Sequence, residues 1–177
     1  MSAFESLSLP LGLVFSDGEI REAFRVKAAV MHPDSGGDEK EFAKLQAARD
    51  VLLSPARRLK EWMLARGIEA DARGQIEGGL MDLFQKVSEV GAVAELLIRE
   101  NAGAKSILVK AMTEVKLIKQ RELVKELLEN IAKEIQQRID RFQEVEKDQI
   151  DPATMMRDLI FLEKWRATLK GIYGRLM

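Results

Sequence analysis

The single histidine of this chain, His32, lies in the stretch VMHPDSGGD, residues 30–38. An imidazole serves as a general base, as a metal ligand, or as a hydrogen-bonding group. The first two uses need company. A base is paired with a nucleophile and oriented by a third group, and a metal site needs further nitrogen, sulfur or oxygen ligands. The chain has no cysteine and no second histidine. Disulfides, Cys-ligated zinc and Cys-ligated iron–sulfur clusters are thereby excluded. There is no glycine-rich phosphate loop. Carboxylates such as Glu122 and Glu126, with Lys125 and Lys133, fall at the surface spacings of helical salt bridges. Taken alone, a histidine before proline reads as a loop residue, with Pro33 fixing the shape of the loop. No enzyme, cofactor or metal is expected.

The elements that position this loop are helical. Ser16 and Glu19 have the spacing of a capping box, so a helix should start near Asp17, with Ile20, Ala23, Phe24 and Ala28 on its apolar face. Pro33 stops it and pushes His32 out of the helical region. PDSGGD is a loop by composition. Asp38 then caps a helix carrying Phe42, Leu45, Ala48 and Leu52 at helical spacing. Ser54-Pro55 opens a shorter one, PARRLKEWMLARG, which ends at Gly67. Ahead of all this, FESLSLP supplies a short helical turn stopped by Pro10.

Residues 67–79, GIEADARGQIEGG, are rich in glycine and poor in apolar side chains. They mark a linker, and beyond them the character changes. From residue 80 to 147 there is no proline, and the pattern is one medium helix and one long one. The medium helix carries Leu80, Leu83, Phe84, Val87, Val90, Ala94, Leu97 and Ile98. The long one carries Leu108, Met112 and Val115, then Val124, Leu128, Ile131, Ile135 and Phe142. Asp151-Pro152 caps and opens a last helix with Met155, Leu159, Leu162, Leu169, Tyr173 and Leu176 on one stripe. Short turns between amphipathic helices predict an antiparallel three-helix bundle. The fold class is all-α, with residues 1–68, a linker at 69–79, and a three-helix domain at 80–177.

The charge balance agrees with this picture of an ordinary helical protein. Lys plus Arg total 28 and Asp plus Glu 29, which gives no basis for nucleic-acid or membrane-surface binding. No run approaches the roughly 20 apolar residues of a membrane span, and MSAFESLSLP lacks the pattern of a signal peptide. A cytoplasmic location is expected.

The tripeptide in its setting, between two helices and followed by F..LQ.A..VL.SP.RR at Phe42–Arg58, resembles a J-domain. That is the module with which co-chaperones stimulate ATP hydrolysis by DnaK-type heat-shock chaperones. Three further stretches are similar to the HscB group of iron–sulfur co-chaperones: LSLPLGLVFSDGEIREAF, SPARRLKEWMLARG, and MMRDLIFLEKWRATLKGIYGRL near the end of the chain. The last lies outside the J-domain and separates this group from other J-proteins. The resemblance implies a J-domain helical hairpin at 1–68, a DnaK/HscA-type chaperone as partner, and an iron–sulfur cluster scaffold protein (IscU-like) as client, with no cluster held by the chain itself.

Residue by residue, the resemblance implies that His32, Pro33 and Asp34 dock on the chaperone, helped by Arg21, Arg25 and Lys27 on the preceding helix. Ser35 stands where J-domains usually carry a lysine, and Lys27 where they carry an apolar core residue. Val26 and Val30 dilute a helix that is usually strongly basic. These departures imply a narrow choice of chaperone. For the client, the resemblance implies an apolar patch from Leu80, Met81, Phe84 and Phe161, with Leu80 and Phe84 also fitting the core stripe. Gln85 and Ser88 replace expected acidic residues and Ile160 an expected basic one. Arg57, Arg58 and Lys60 read as solvated charges, and Trp62 and Trp165 as packing residues. Two alternatives stand beside this reading: a J-protein with a different client or none, its C-terminal helices serving oligomerisation, and a helical interaction protein whose His-Pro-Asp is incidental or no longer engages a chaperone.

Overall fold

The computed structural model describes residues 2–70 and 78–177, and no strand occurs among them. The helices are α1 (Ala3–Ser6), α2 (Asp17–Met31), α3 (Glu39–Leu53), α4 (Pro55–Ala65), α5 (Gly79–Gly103), α6 (Ile107–Asp140), α7 (Phe142–Glu146) and α8 (Pro152–Leu176). Most of the expected linker, residues 71–77, lies outside the described residues.

The helix starts follow from capping chemistry. Ser16 Oγ accepts the Glu19 amide at 3.2 Å, while the Glu19 carboxylate accepts the Ser16 amide at 2.8 Å, which satisfies two orphan N–H groups of α2 reciprocally. Asp38 caps α3 through the Glu41 amide at 2.9 Å, and Ser54 caps α4 with Pro55 at its first turn. Asp151 accepts the Thr154 amide at 3.0 Å and the Thr154 hydroxyl at 2.6 Å ahead of Pro152. These bonds, the hydroxyl foremost, hold the Asp151 carboxyl below the ordinary aspartate range.

Packing divides the chain into two compact units, one drawn from Met1–Gly74 and Arg138–Leu159, the other from Gln75–Gln137 and Ile160–Met177. The dividing line therefore falls inside α6 and α8.

In the first unit, Leu13, Ile20, Leu52, Leu59 and Met63 are fully enclosed. The loop before α2 has no regular structure, and its carbonyls need partners. Arg58 supplies them. Its Nε donates to Leu52 O at 2.7 Å, and its Nη1 to Leu13 O at 3.0 Å and Phe15 O at 2.8 Å. The side chain is 1 % exposed. The expectation of a solvated Arg58 is thus corrected: the guanidinium fork ties two carbonyls of the irregular loop to one in the last turn of α3, a role that helical periodicity cannot reveal. In the same unit Glu146 accepts the Leu13 amide, and Arg138 pairs with Asp158 at 3.1 Å where both are buried.

In the second unit α5 and α8 run in the same direction, with Phe84 beside Trp165 and Glu95 bound to Arg175. The first part of α6 runs opposite to both. Gln120 reaches the Val90 carbonyl at 2.8 Å and Arg121 the Leu176 carbonyl at 3.1 Å. The core takes Leu80, Val87, Ala94 and Leu97 from α5, Val124 and Ile131 from α6, and Leu162, Trp165 and Leu169 from α8.

The long helix departs from expectation twice. It ends at Asp140, and Phe142 belongs to the separate short helix α7. Its first three turns also face the other way. Leu108, Met112 and Val115 are exposed, while Thr113, Leu117 and Gln120 are buried. At about 100° per residue the buried set continues in phase into Val124, Leu127, Ile131 and Ile135. The polar Thr113 and Gln120 hide that phase in the sequence, since each satisfies its own hydrogen bond inside the unit, Thr113 to the Val109 carbonyl. In α8 the buried face is wider than the stripe expected, because Met156, Trp165 and Ile172 join it. No helix among the described residues is long and apolar enough to cross a membrane.

Candidate docking loop and apolar patch

The loop is built by the residues it contains. His32 ends α2 in an extended conformation, as expected for a residue before proline, with its N–H still bonded to the Ala28 carbonyl at 3.0 Å. Pro33 starts a single 3-10 turn over Pro33–Ser35. The turn closes at Gly36, whose φ of 86° falls in the left-handed region and whose amide bonds Pro33 O at 2.9 Å. Gly37 then returns its amide to His32 O at 3.0 Å. A Cβ there would run into the Met31 carbonyl. The two glycines thus have separate reasons: one a backbone angle, the other a close approach of chain to chain.

Within the turn His32 Nδ1 accepts the Asp34 amide at 3.2 Å. The ring's proton consequently sits on Nε2, which stays available as a donor. The ring lies edge-on to Phe42, with centroids 4.9 Å apart at 72°. Phe42 in turn packs on Phe24 at 6.3 Å, and Arg49 caps the Phe24 ring at 4.5 Å. An aromatic stack therefore orients the imidazole from behind. The Asp34 side chain is 90 % exposed and its Oδ2 stands 3.6 Å from His32 Nδ1. This is beyond hydrogen-bond distance, and the carboxylate is left to accept from outside. The loop thus carries a donor and an acceptor on a frame of local hydrogen bonds.

The three basic residues of α2 fare differently from one another. Arg21 is exposed. Arg25 is exposed but donates twice to Glu22, at 2.8 and 2.6 Å. That pair raises the Arg25 guanidinium and holds the Glu22 carboxyl below its ordinary range. Lys27 is half-buried and its Nζ donates to the Ser6 carbonyl at 2.7 Å. It ties α2 to the last residue of α1. Val26 and Val30, one turn apart, are exposed on the outer face of α2.

The second site lies in the other unit. Met81 and Phe84 of α5 are exposed, Phe161 of α8 is half-buried, and Leu80 is 2 % exposed and belongs to the core beneath them. Phe84 and Phe161 do not simply neighbour each other. Trp165 stands between them, 5.6 Å from the Phe84 ring and 6.0 Å from the Phe161 ring. It is the residue that the sequence reading assigned only to packing. Its position four after Phe161 puts the two rings on one helix face, and that spacing is the signal that would have joined it to the patch. Among the described residues no group of three His, Asp or Glu is placed to hold a metal ion.

No protein-family model and no curated protein matches this sequence. Among solved structures the chain is similar to the chaperone HscB from Vibrio cholerae, with a TM-score of 0.58 over the whole of both chains at 18 % sequence identity. The chain has the HscB fold. Its all-α expectation and its resemblance to the HscB group hold at the level of fold, including the helices beyond the His-Pro-Asp loop that other J-proteins need not share.

Proposed function

We propose that this protein is a co-chaperone of the HscB kind. Residues 1–68 would dock on a DnaK/HscA-type chaperone and stimulate its ATP hydrolysis, and residues 80–177 would hold the client, joined through residues 69–79. The observation that carries this is the loop itself. A histidine held by the Asp34 amide and the Phe42 ring, a stiff proline and an outward carboxylate form a docking element without catalytic partners in its own chain. The HscB fold over the full length supports it.

On this reading the phosphoryl chemistry belongs entirely to the chaperone. His32 Nε2 donates and Asp34 accepts across the interface, and their binding favours the chaperone state that hydrolyses ATP. Such a contact shifts turnover only through its differential affinity for two chaperone states. Arg21 is the α2 cation with the clearest route to that interface, since Arg25 is shared with Glu22 and Lys27 with Ser6. The client reading takes Met81, Phe84 and Phe161 as the contact, with Leu80 beneath. An iron–sulfur scaffold protein is the client implied by the HscB resemblance, and a chain without cysteine suits an adaptor that never holds the cluster itself.

The test is a chaperone ATPase assay with wild-type protein and with His32→Gln, each with and without a scaffold protein. Wild type should raise turnover, scaffold should raise it further, and His32→Gln should do neither while keeping its circular dichroism. Equal turnover with both proteins would sink the co-chaperone reading. Stimulation that ignores the scaffold would move the client elsewhere.

A further inference from the structure

Single exposed apolar residues are ordinary on a helical protein and need no account. Four in the first unit are not single. Val26 and Val30 of α2 are 58 % and 76 % exposed, and Ala29 and Pro33 are exposed with them. Val26, Ala29 and Val30 fall within one arc of roughly 100° on the helix. The chain then leads into Pro33, between His32 and Asp34, so the strip ends in the docking loop. Valine is also a poor choice for an exposed helix position, because its branched Cβ loses rotamer freedom against the preceding turn. Two valines on the outward face weaken α2 without contributing to its core, which takes Ile20.

The charges around the strip are arranged to match. α2 carries three acids, Asp17, Glu19 and Glu22, and three bases, Arg21, Arg25 and Lys27. Glu19 and Glu22 continue the strip toward the start of the helix, each within about 40° of Val26, whereas Arg25 lies about 100° and Arg21 about 140° away. Arg25 is bound to Glu22, and Lys27 to the Ser6 carbonyl. An acidic partner surface laid on this face would meet valines and carboxylates. It would lose hydration and gain no cation. An apolar surface would bury the valines at no such cost.

We propose that Val26, Ala29, Val30 and Pro33 form the partner-selecting strip of the docking element, and that it fits a chaperone whose surface beside the loop's site is apolar and not acidic. The inference rests on the co-chaperone reading and adds to it the chemistry of the partner. The strip supplies contact area, while His32 and Asp34 supply the polar signal. Association then depends only weakly on salt, unlike docking through a cationic helix.

The test is the half-saturating concentration of the full chain in the ATPase assay with a DnaK-type chaperone that it stimulates. Val26→Ser with Val30→Ser should raise that concentration about tenfold and keep the plateau, whereas His32→Gln should abolish the stimulation. Both valines are exposed, so helical content should not fall. Val26→Lys with Val30→Lys should weaken binding as much, at low salt as at high. For wild type, going from about 0.05 to about 0.3 M salt should move half-saturation by less than about twofold, a measurement that needs no variant. Tighter binding by the lysine pair, or a wild-type half-saturation that rises about tenfold over that salt range, overturns the proposal and gives the chaperone an acidic face. Half-saturation unmoved by the serine pair overturns it too, and a change in the free protein's sedimentation would then show the strip covering a second copy. A wild type that stimulates no chaperone, or no better than His32→Gln, removes the co-chaperone reading and this inference with it.

Discussion

The His-Pro-Asp loop and the Met81–Phe84–Phe161 patch both leave chemistry at the surface, but they are held by different forces. The loop is a polar construction of seven consecutive residues. Backbone amides, one imidazole nitrogen and two glycines fix it, and the Phe42 ring backs His32. The patch is an apolar construction from two helices, and Trp165 stacks both of its rings from below. A locally bonded loop tolerates distant change but no change in its own backbone. A packed patch tolerates its neighbours' polarity but not a missing volume.

That contrast breaks or sharpens under substitution. The largest effect is expected at Trp165. Trp165→Ala should cost about 3–4 kcal/mol in urea denaturation through the cavity it leaves, and should weaken client binding. The loop lies in the other compact unit, so stimulation of the chaperone by protein that is still folded should persist; its loss would erase the contrast. Arg58→Ala comes next, at about 3 kcal/mol by the same measurement. It strands the Leu13, Phe15 and Leu52 carbonyls. Arg58→Lys should recover only part, because a point charge cannot fork to three acceptors.

Gly37→Ala is expected to cost about 2 kcal/mol, since its Cβ meets the Met31 carbonyl. Its functional effect should be out of proportion: ATPase stimulation lost, client binding retained. Retained stimulation would mean that the loop relaxes more freely than its bonding suggests.

The smallest change is at a helix start. Asp151→Ala should lose about 1 kcal/mol. The wild-type carboxyl has a folded pKa below its unfolded value. Its contribution is therefore complete above the ordinary aspartate pKa and disappears as pH falls through the depressed one. Wild type and variant should converge in stability in that acid range, which a pH series of thermal melts would show.

The loop was legible in the sequence because, the Phe42 ring behind His32 apart, the bonds that shape it act between near neighbours. Ser16, Asp38, Ser54 and Asp151 announced their helices for the same reason: a cap reaches only three residues along the chain. The patch was half legible. The resemblance pointed to Leu80, Met81, Phe84 and Phe161, yet which of these face water depends on the rotation of α5, and that rotation is fixed by packing. Leu80 turned inward and Met81 outward. The role of Trp165 depended on meeting a ring from another helix. Arg58 escaped the reading because a charged residue flanked by Arg57 and Lys60 gives no sign of being the buried one.

What the sequence determined by itself was the all-helical class, the capped starts of α2, α3, α4 and α8 and the extended turn at His32-Pro33, all products of short-range sterics and hydrogen bonds. The tertiary structure decided which of two faces of its first turns α6 would bury. The sequence offers Leu108, Met112 and Val115 on one side and Thr113, Leu117 and Gln120 on the other, and apolar count favours the first. The helix is continuous with the turns that bury Val124, Ile131 and Ile135, so its phase is inherited from them. Gln120 settles the matter by bonding the Val90 carbonyl of the neighbouring helix. One helix has one rotation, and the longer run of buried contacts sets it.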